Sequence, residues 1–86
     1  MDIFYYLRDF RHVNGKRDKR TLNAFGRNLR KLRHTKGISQ EALEFDSGLS
    51  KNVVGNIERG EANPTFTTIK ALAKGLGIPI KDLVDF

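Results

Sequence analysis

Leu22, Phe25, Leu29 and Leu32 recur at intervals of three and four residues, the spacing that lines one side of an α-helix. The run predicts a helix from about residue 23 to residue 36, stopped at Gly37. Ala42 and Leu43 give a second, shorter helix its apolar side, with Ser39 placed as its N-cap. Gly48 supplies a tight turn and Leu49 plugs the corner. Ser50 then stands where its hydroxyl can accept from the backbone N–H of residue 52 or 53 and open a third helix. Val54 and Ile57, with Val53 beside them, put a narrow apolar stripe on that helix, which closes at Gly60. Ser50, Lys51, Asn52, Gly55 and Asn56 are left pointing outward. Thr65, after Pro64, caps a fourth helix whose buried side is Phe66, Ile69, Leu72, Ala73 and Leu76, and Gly77 ends it. Pro79 begins a short fifth helix with Ile80, Leu83 and Val84. Five helices joined by short loops predict a compact all-α domain over residues 22–86.

Residues 1–21 read as an N-terminal extension. Ile3, Leu7 and Phe10 fall on one side of a short helix capped by Asp2, although the apolar run at residues 3–7 suits a strand equally. Residues 14–20 form a turn followed by a charge run, the signature of a flexible linker.

Composition narrows the chemistry. A chain of 86 residues makes one domain, and no second domain is in view to sense a ligand. There is no cysteine, and the only histidines are His12 and His34, so neither a disulfide framework nor a metal-ligand cluster is expected. No apolar run approaches the ~20 residues that span a bilayer, and no signal-peptide pattern opens the chain. A cytoplasmic protein without a cofactor is the expectation. Catalysis finds no Ser/His/Asp set, phosphate loop or spaced carboxylate pair. The net charge is +6, unevenly spread: +3 over residues 1–20, +5 over residues 21–36, and −2 over the remainder. A basic first third suits phosphate contact and electrostatic steering, or else a plain solvated face.

Two short helices joined by a glycine turn, the second with a polar outer face, form the helix-turn-helix arrangement whose second helix enters the DNA major groove. Six pieces stand in order at consistent spacing across residues 22–84: Phe25-Gly26-x-x-Leu29-Arg30-x-Leu32-Arg33, Gly37-Ile38-Ser39-Gln40-Glu41, Gly48-Leu49-Ser50, Ile57-Glu58-Arg59-Gly60, Asn63-Pro64-Thr65, and Leu72 to Ile78. In these the chain resembles the phage-repressor-like (XRE, Cro/repressor) helix-turn-helix family, and among its members the small controller proteins of restriction–modification systems. The resemblance implies a repressor-like DNA-binding domain. One position departs from it: Glu44 replaces a small residue, so its carboxylate has to reach solvent or find a basic partner.

Asn pairs bidentately with adenine and Lys donates to guanine, which makes Lys51, Asn52 and Asn56 candidates for base contact. Ser50 meets a base or merely caps, and Gly55 permits close approach to DNA; the alternative for each is an ordinary solvated position. The resemblance implies that Gln40 binds a backbone phosphate, with Asn63, Thr65 and Arg59 placed to do the same; for Thr65 plain helix capping is the competing role. Arg33 and Glu58 match a family pair that forms a partly buried salt bridge bracing the recognition helix. The expected function is a sequence-specific transcriptional regulator. It would bind a palindromic operator in double-stranded DNA as a homodimer, paired through the C-terminal apolar residues Ile78, Ile80, Leu83, Val84 and Phe86, against which stands the reading that Ile80 and Leu83 close the monomer's own core. The alternative is an antitoxin-like protein that binds a toxin, for which the aromatic segment at residues 3–10 is the feature that would serve.

Overall fold

The computed structural model describes residues 18–86, and in it the first helix starts earlier than the leucine spacing predicts. Helix α1 runs Lys19–Lys36, because Asp18 acts as its N-cap: the carboxylate accepts from the Thr21 N–H at 3.1 Å and from the Thr21 hydroxyl at 2.7 Å. The end of the expected linker is therefore helix and cap. The readings made for residues 1–17 lie outside the described residues. Four further helices follow: α2 Gln40–Ser47, α3 Val53–Glu58, α4 Phe66–Leu76 and α5 Ile80–Leu83.

The boundaries follow local chemistry. Ser39 accepts from Ala42 N–H and Thr65 from Thr68 N–H, so both expected N-caps form. Gly37, Gly48 and Gly77 all close their helices in the left-handed conformation, as at Gly48 with φ 69°. A side chain there would be strained, whereas glycine turns the chain freely toward the next helix.

Leu29, Leu43, Val54, Ile57, Leu72 and Leu83 are the largest fully buried side chains, so each of the five helices contributes to one core. Helix α2 packs on α4, α1 on α3, and α5 closes against α4 and α1. Two expectations about burial change. Phe66 is 68% exposed, because it starts α4 at the rim before the helix reaches the core at Leu72. Leu83 is completely buried, so of its two expected roles, pairing with a partner and closing the monomer's core, it takes the second.

Helix α1 also ties the domain together with polar side chains. Lys19 Nζ donates to the Gly60 carbonyl at 2.7 Å, Lys36 Nζ to that of Gly75 at 3.0 Å, and Asn28 Nδ2 to that of Leu83 at 2.7 Å. Each acceptor lies at or just beyond the end of a helix, where carbonyls lack intrahelical partners.

Gly26 sets how closely α1 approaches α3. A Cβ added there would lie 2.5 Å from the Ile57 carbonyl oxygen and 2.6 Å from that of Glu58, both fixed backbone atoms. Gly26→Ala is therefore expected to destabilise the domain by about 1–3 kcal/mol despite the better helix propensity of alanine. Urea unfolding monitored by circular dichroism checks this, and an unchanged midpoint would refute the close approach.

Candidate nucleic-acid interface

The outward face of α3 begins in a turn. Gly48 reverses the chain, the Leu49 N–H closes on the Glu44 carbonyl at 2.9 Å, and Leu49 sits half-buried in the corner, as its spacing predicts. Ser50 does not then cap the helix. Helix α3 starts at Val53, two residues later than a Ser50 cap implies, and its N-cap position is held by Asn52 with φ 74° and no side-chain cap bond. Asn52 is the one non-glycine with positive φ among the described residues. Asparagine is among the few side chains that tolerate that region.

What satisfies the start of α3 comes from α2. Glu44 Oε2 accepts from the Val54 N–H at 3.0 Å, and Glu44 is only 6% exposed. The carboxylate thus finds neither solvent nor a base but a backbone amide. In a helix begun at Lys51 the Val54 N–H would belong to the Ser50 carbonyl, so the bond to Glu44 goes with the later start. Spacing alone could not reveal it, because the partner is ten residues away and depends on the angle between the two helices.

The C-terminal end of α3 is held just as firmly. Arg33 on α1 donates from Nε to Glu58 Oε2 at 2.7 Å and from Nη2 to Glu58 Oε1 at 3.0 Å, a two-pronged bridge with both side chains largely buried. Its Nη1 donates to the Ile38 carbonyl at 2.9 Å, and Gln40 Nε2 adds a bond to Glu58 Oε1 at 3.0 Å. His34 Nε2 lies 3.3 Å from Arg33 Nη2; since the guanidinium only donates, the imidazole nitrogen accepts. Burial by itself would raise the pKa of Glu58. The hydrogen bonds from Arg33 and Gln40, with the charges of Arg33 and Arg30, outweigh burial and hold the carboxyl below the usual glutamate value. The bond to Glu58 in turn raises Arg33, against the opposing effect of burial.

Ser50, Lys51 and Asn52 are exposed in the turn that leads into α3, and Asn56 is half-buried between the anchors. Asn56 Oδ1 accepts from Arg59 Nη2 at 2.6 Å, and Arg59 Nε pairs with Glu61 at 3.1 Å on the open surface. Gly55 does not face outward. It is buried beneath Gln40 and Arg59, whose side-chain atoms would stand 3.2 Å and 3.0 Å from a Cβ placed there. The constraint on Gly55 is thus internal packing. Asn63 and Thr65 are exposed ahead of α4, with the Thr65 hydroxyl engaged in capping.

Among the described residues, no group of His, Cys, Asp and Glu side chains is arranged to hold a metal ion, and no helix is long and apolar enough to cross a membrane.

A family model described as helix-turn-helix matches residues 29–83. The chain is 42% identical over 59 residues to the uncharacterized helix-turn-helix-type transcriptional regulator y4dJ of Sinorhizobium fredii, covering 69% of this chain and 77% of that one. It is 40% identical over 63 residues to the control protein C.BamHI of Bacillus amyloliquefaciens, covering 72% and 78%. Among solved structures it is similar to the restriction-modification controller protein C.AhdI from Aeromonas hydrophila. That match has 47% identity and a TM-score of 0.70, over 72% of this chain and 94% of that one.

Removing one partner of the buried bridge should be costly. Glu58→Ala is expected to destabilise the domain by about 3–5 kcal/mol at neutral pH. The sign with pH follows from the lowered carboxyl pKa. The stabilisation is complete above the unfolded glutamate value of about 4.3 and is lost as pH falls through the lower folded value. Melting curves of the wild type and Glu58→Gln should therefore converge as the solution is acidified below pH ~4. A difference that stays constant down to the acid limit would contradict this.

Proposed function

This chain belongs to the helix-turn-helix family of DNA-binding transcriptional regulators, and from that premise we propose that it reads a palindromic operator as a homodimer, with α3 in the major groove of each half-site. The observation that carries the proposal is the exposed start of α3, Lys51 and Asn52 with Asn56 behind them, on a helix braced at both ends. A reading surface has to be rigid before its contacts can discriminate.

Lys51 is suited to guanine O6 and N7, and Asn52 to adenine N6 and N7. Asn56 has its carbonyl oxygen occupied by Arg59, so a two-bonded contact with adenine needs Arg59 to move away. A phosphate is the natural destination for that guanidinium, which couples base readout at Asn56 to backbone binding at Arg59. Ser50, exposed beside Lys51, offers a further polar contact. Gly55, covered as it is, contributes by letting Gln40 and Arg59 lie across the helix. Gln40, Asn63 and Thr65 flank this surface as phosphate ligands. Gln40 spends one amide hydrogen on Glu58 and has a second for phosphate.

Pairing of two copies is supported by the apolar end of the domain. Val84 and Phe86 are 44% and 55% exposed, and with Leu22, Phe25, Pro64 and Ile69 they line a groove of about 180 Å³. The Phe86 ring packs edge-on against Phe25 at 5.8 Å, so one side is used within the monomer and the other is open. Ile78 and Ile80 are half-buried against the core. A symmetric pair would present two copies of α3 about one helical turn of DNA apart. The antitoxin-like alternative rests on residues 3–10, outside the described part, and no structural feature favours it.

Selection of bound sites from random duplex DNA tests the proposal directly. Ala substitution of Lys51, Asn52 or Asn56 is expected to cost about 1–3 kcal/mol on the selected site and much less on random duplex. Equal losses on both would mean phosphate contact only. Affinity should also fall with salt at a log–log slope of about −0.9 for each phosphate neutralised.

Sedimentation measures the second element. A homodimer is expected at micromolar concentration and should be weakened by Val84→Asp, since a buried unpaired carboxylate opposes association. A monomer at high concentration, with one protein bound per operator, would remove the dimer from the proposal.

A further inference from the structure

We propose that Glu44 is a positioning residue for sequence discrimination: it touches no base, yet it fixes where α3 begins and so where Lys51 and Asn52 are presented. The inference rests on the reading of the chain as a sequence-selective DNA binder. Three observations carry it. Glu44 is buried and supplies, from α2, an acceptor for the Val54 N–H in the first turn of α3. Asn52 occupies the N-cap position with no side-chain cap bond of its own and a left-handed backbone. Ser50, which has the right chemistry to cap, supports the turn only through its carbonyl, to the Val53 N–H at 3.4 Å.

Two starts for α3 are therefore encoded in the same segment. With the Glu44 cap, the helix begins at Val53, and Lys51 and Asn52 sit in the preceding turn. With a Ser50 hydroxyl cap, the helix would begin at Lys51, and Asn52 would move from φ 74° into the negative helical range. The Asn52 and Lys51 side chains would then project from different positions relative to Asn56. Glu44 selects the first start because its carboxylate cannot stay buried without a hydrogen-bond partner and the Val54 amide is the partner it has. A small side chain at residue 44 would leave the choice to Ser50.

The test compares wild type, Glu44→Ala and Glu44→Gln in the full chain. Sites are first selected from random duplex DNA with the wild type, and each variant is then titrated on the selected site and on random duplex. Glu44→Ala should keep affinity for random duplex within roughly threefold, because the phosphate contribution is sequence-independent. Its preference for the selected site should fall at least about tenfold, equivalent to losing one base contact. Glu44→Gln should keep the wild-type preference, since its amide oxygen can accept from Val54. Exchange of the Val54 amide hydrogen, measured against that of Ile57 in the same samples, should accelerate in Glu44→Ala and not in Glu44→Gln. If Glu44→Ala does not fold, Glu44→Gln decides: loss of preference with the Val54 amide still protected overturns the inference. Wild-type preference retained in Glu44→Ala overturns it as well, and so does an equal loss on both DNAs. A wild type that selects no site sinks the regulatory reading and this inference with it, which separates the two failures.

Discussion

A helix of six residues cannot hold its own shape in water, and α3 has only six. Its geometry is imposed from outside by two side chains, a carboxylate at one end and a guanidinium at the other. Glu44 reaches from α2 to the first turn, and Glu58, the last residue of α3, is gripped by Arg33 from α1. The exposed side chains just ahead of α3, and Asn56 on it, take their positions from these two anchors. Rigidity of the outer face is therefore borrowed from the longer helices behind it.

The two contacts between α1 and α3 differ in what they fix. Close approach of α1 to α3 is a matter of shape: Gly26 lets the Ile57 and Glu58 carbonyls come within contact distance of the α1 backbone. Shape alone would still allow α3 to roll against α1. The planar guanidinium of Arg33 opposes that motion, because it engages both Glu58 oxygens and the Ile38 carbonyl in one fixed fork. A well-packed apolar pair in its place could match or exceed its net stability, since burying charge is expensive. What an apolar pair lacks is direction. For holding one short helix at one angle, a directional contact serves better than a merely cohesive one.

Much of this was legible in the sequence wherever the cause is local. Ser39 and Thr65 cap as their positions predict, and Gly37, Gly48 and Gly77 end their helices in the left-handed turn that glycine favours. The Arg33–Glu58 pair was legible only through family resemblance, because its partners are 25 residues apart. The misreadings share a non-local cause. Ser50 satisfies every local rule for an N-cap but loses to a carboxylate from another helix. Gly55 looks outward on a helical wheel, yet Gln40 from α2 lies over it. Phe66 fits the apolar period of α4 but stands where the helix has not yet met the core. The first turn of α1 was missed for the opposite reason. Asp18 is a good local cap, but the charged residues after it carry no apolar period to mark a helix.

The same non-local contacts change how the charge of the chain should be read. By count, residues 37–86 are acidic and would repel DNA, although they contain the helix-turn-helix. Glu44 and the Glu58 side chain are both buried, however, and each is hydrogen-bonded inward. Arg33 is buried with them, while the Lys19 and Lys36 ammonium groups are bonded to carbonyls. The carboxylates that hold α3 are thus withdrawn from the surface that α3 presents. Around its outer face Lys51 and Arg59 stand exposed, with Glu61 as the acidic partner of Arg59. A sequence count treats Glu44 and Glu58 as a liability for binding a polyanion. In the folded chain they hold the two ends of α3, and the charge of Glu58 is balanced by the Arg33 guanidinium bonded to it.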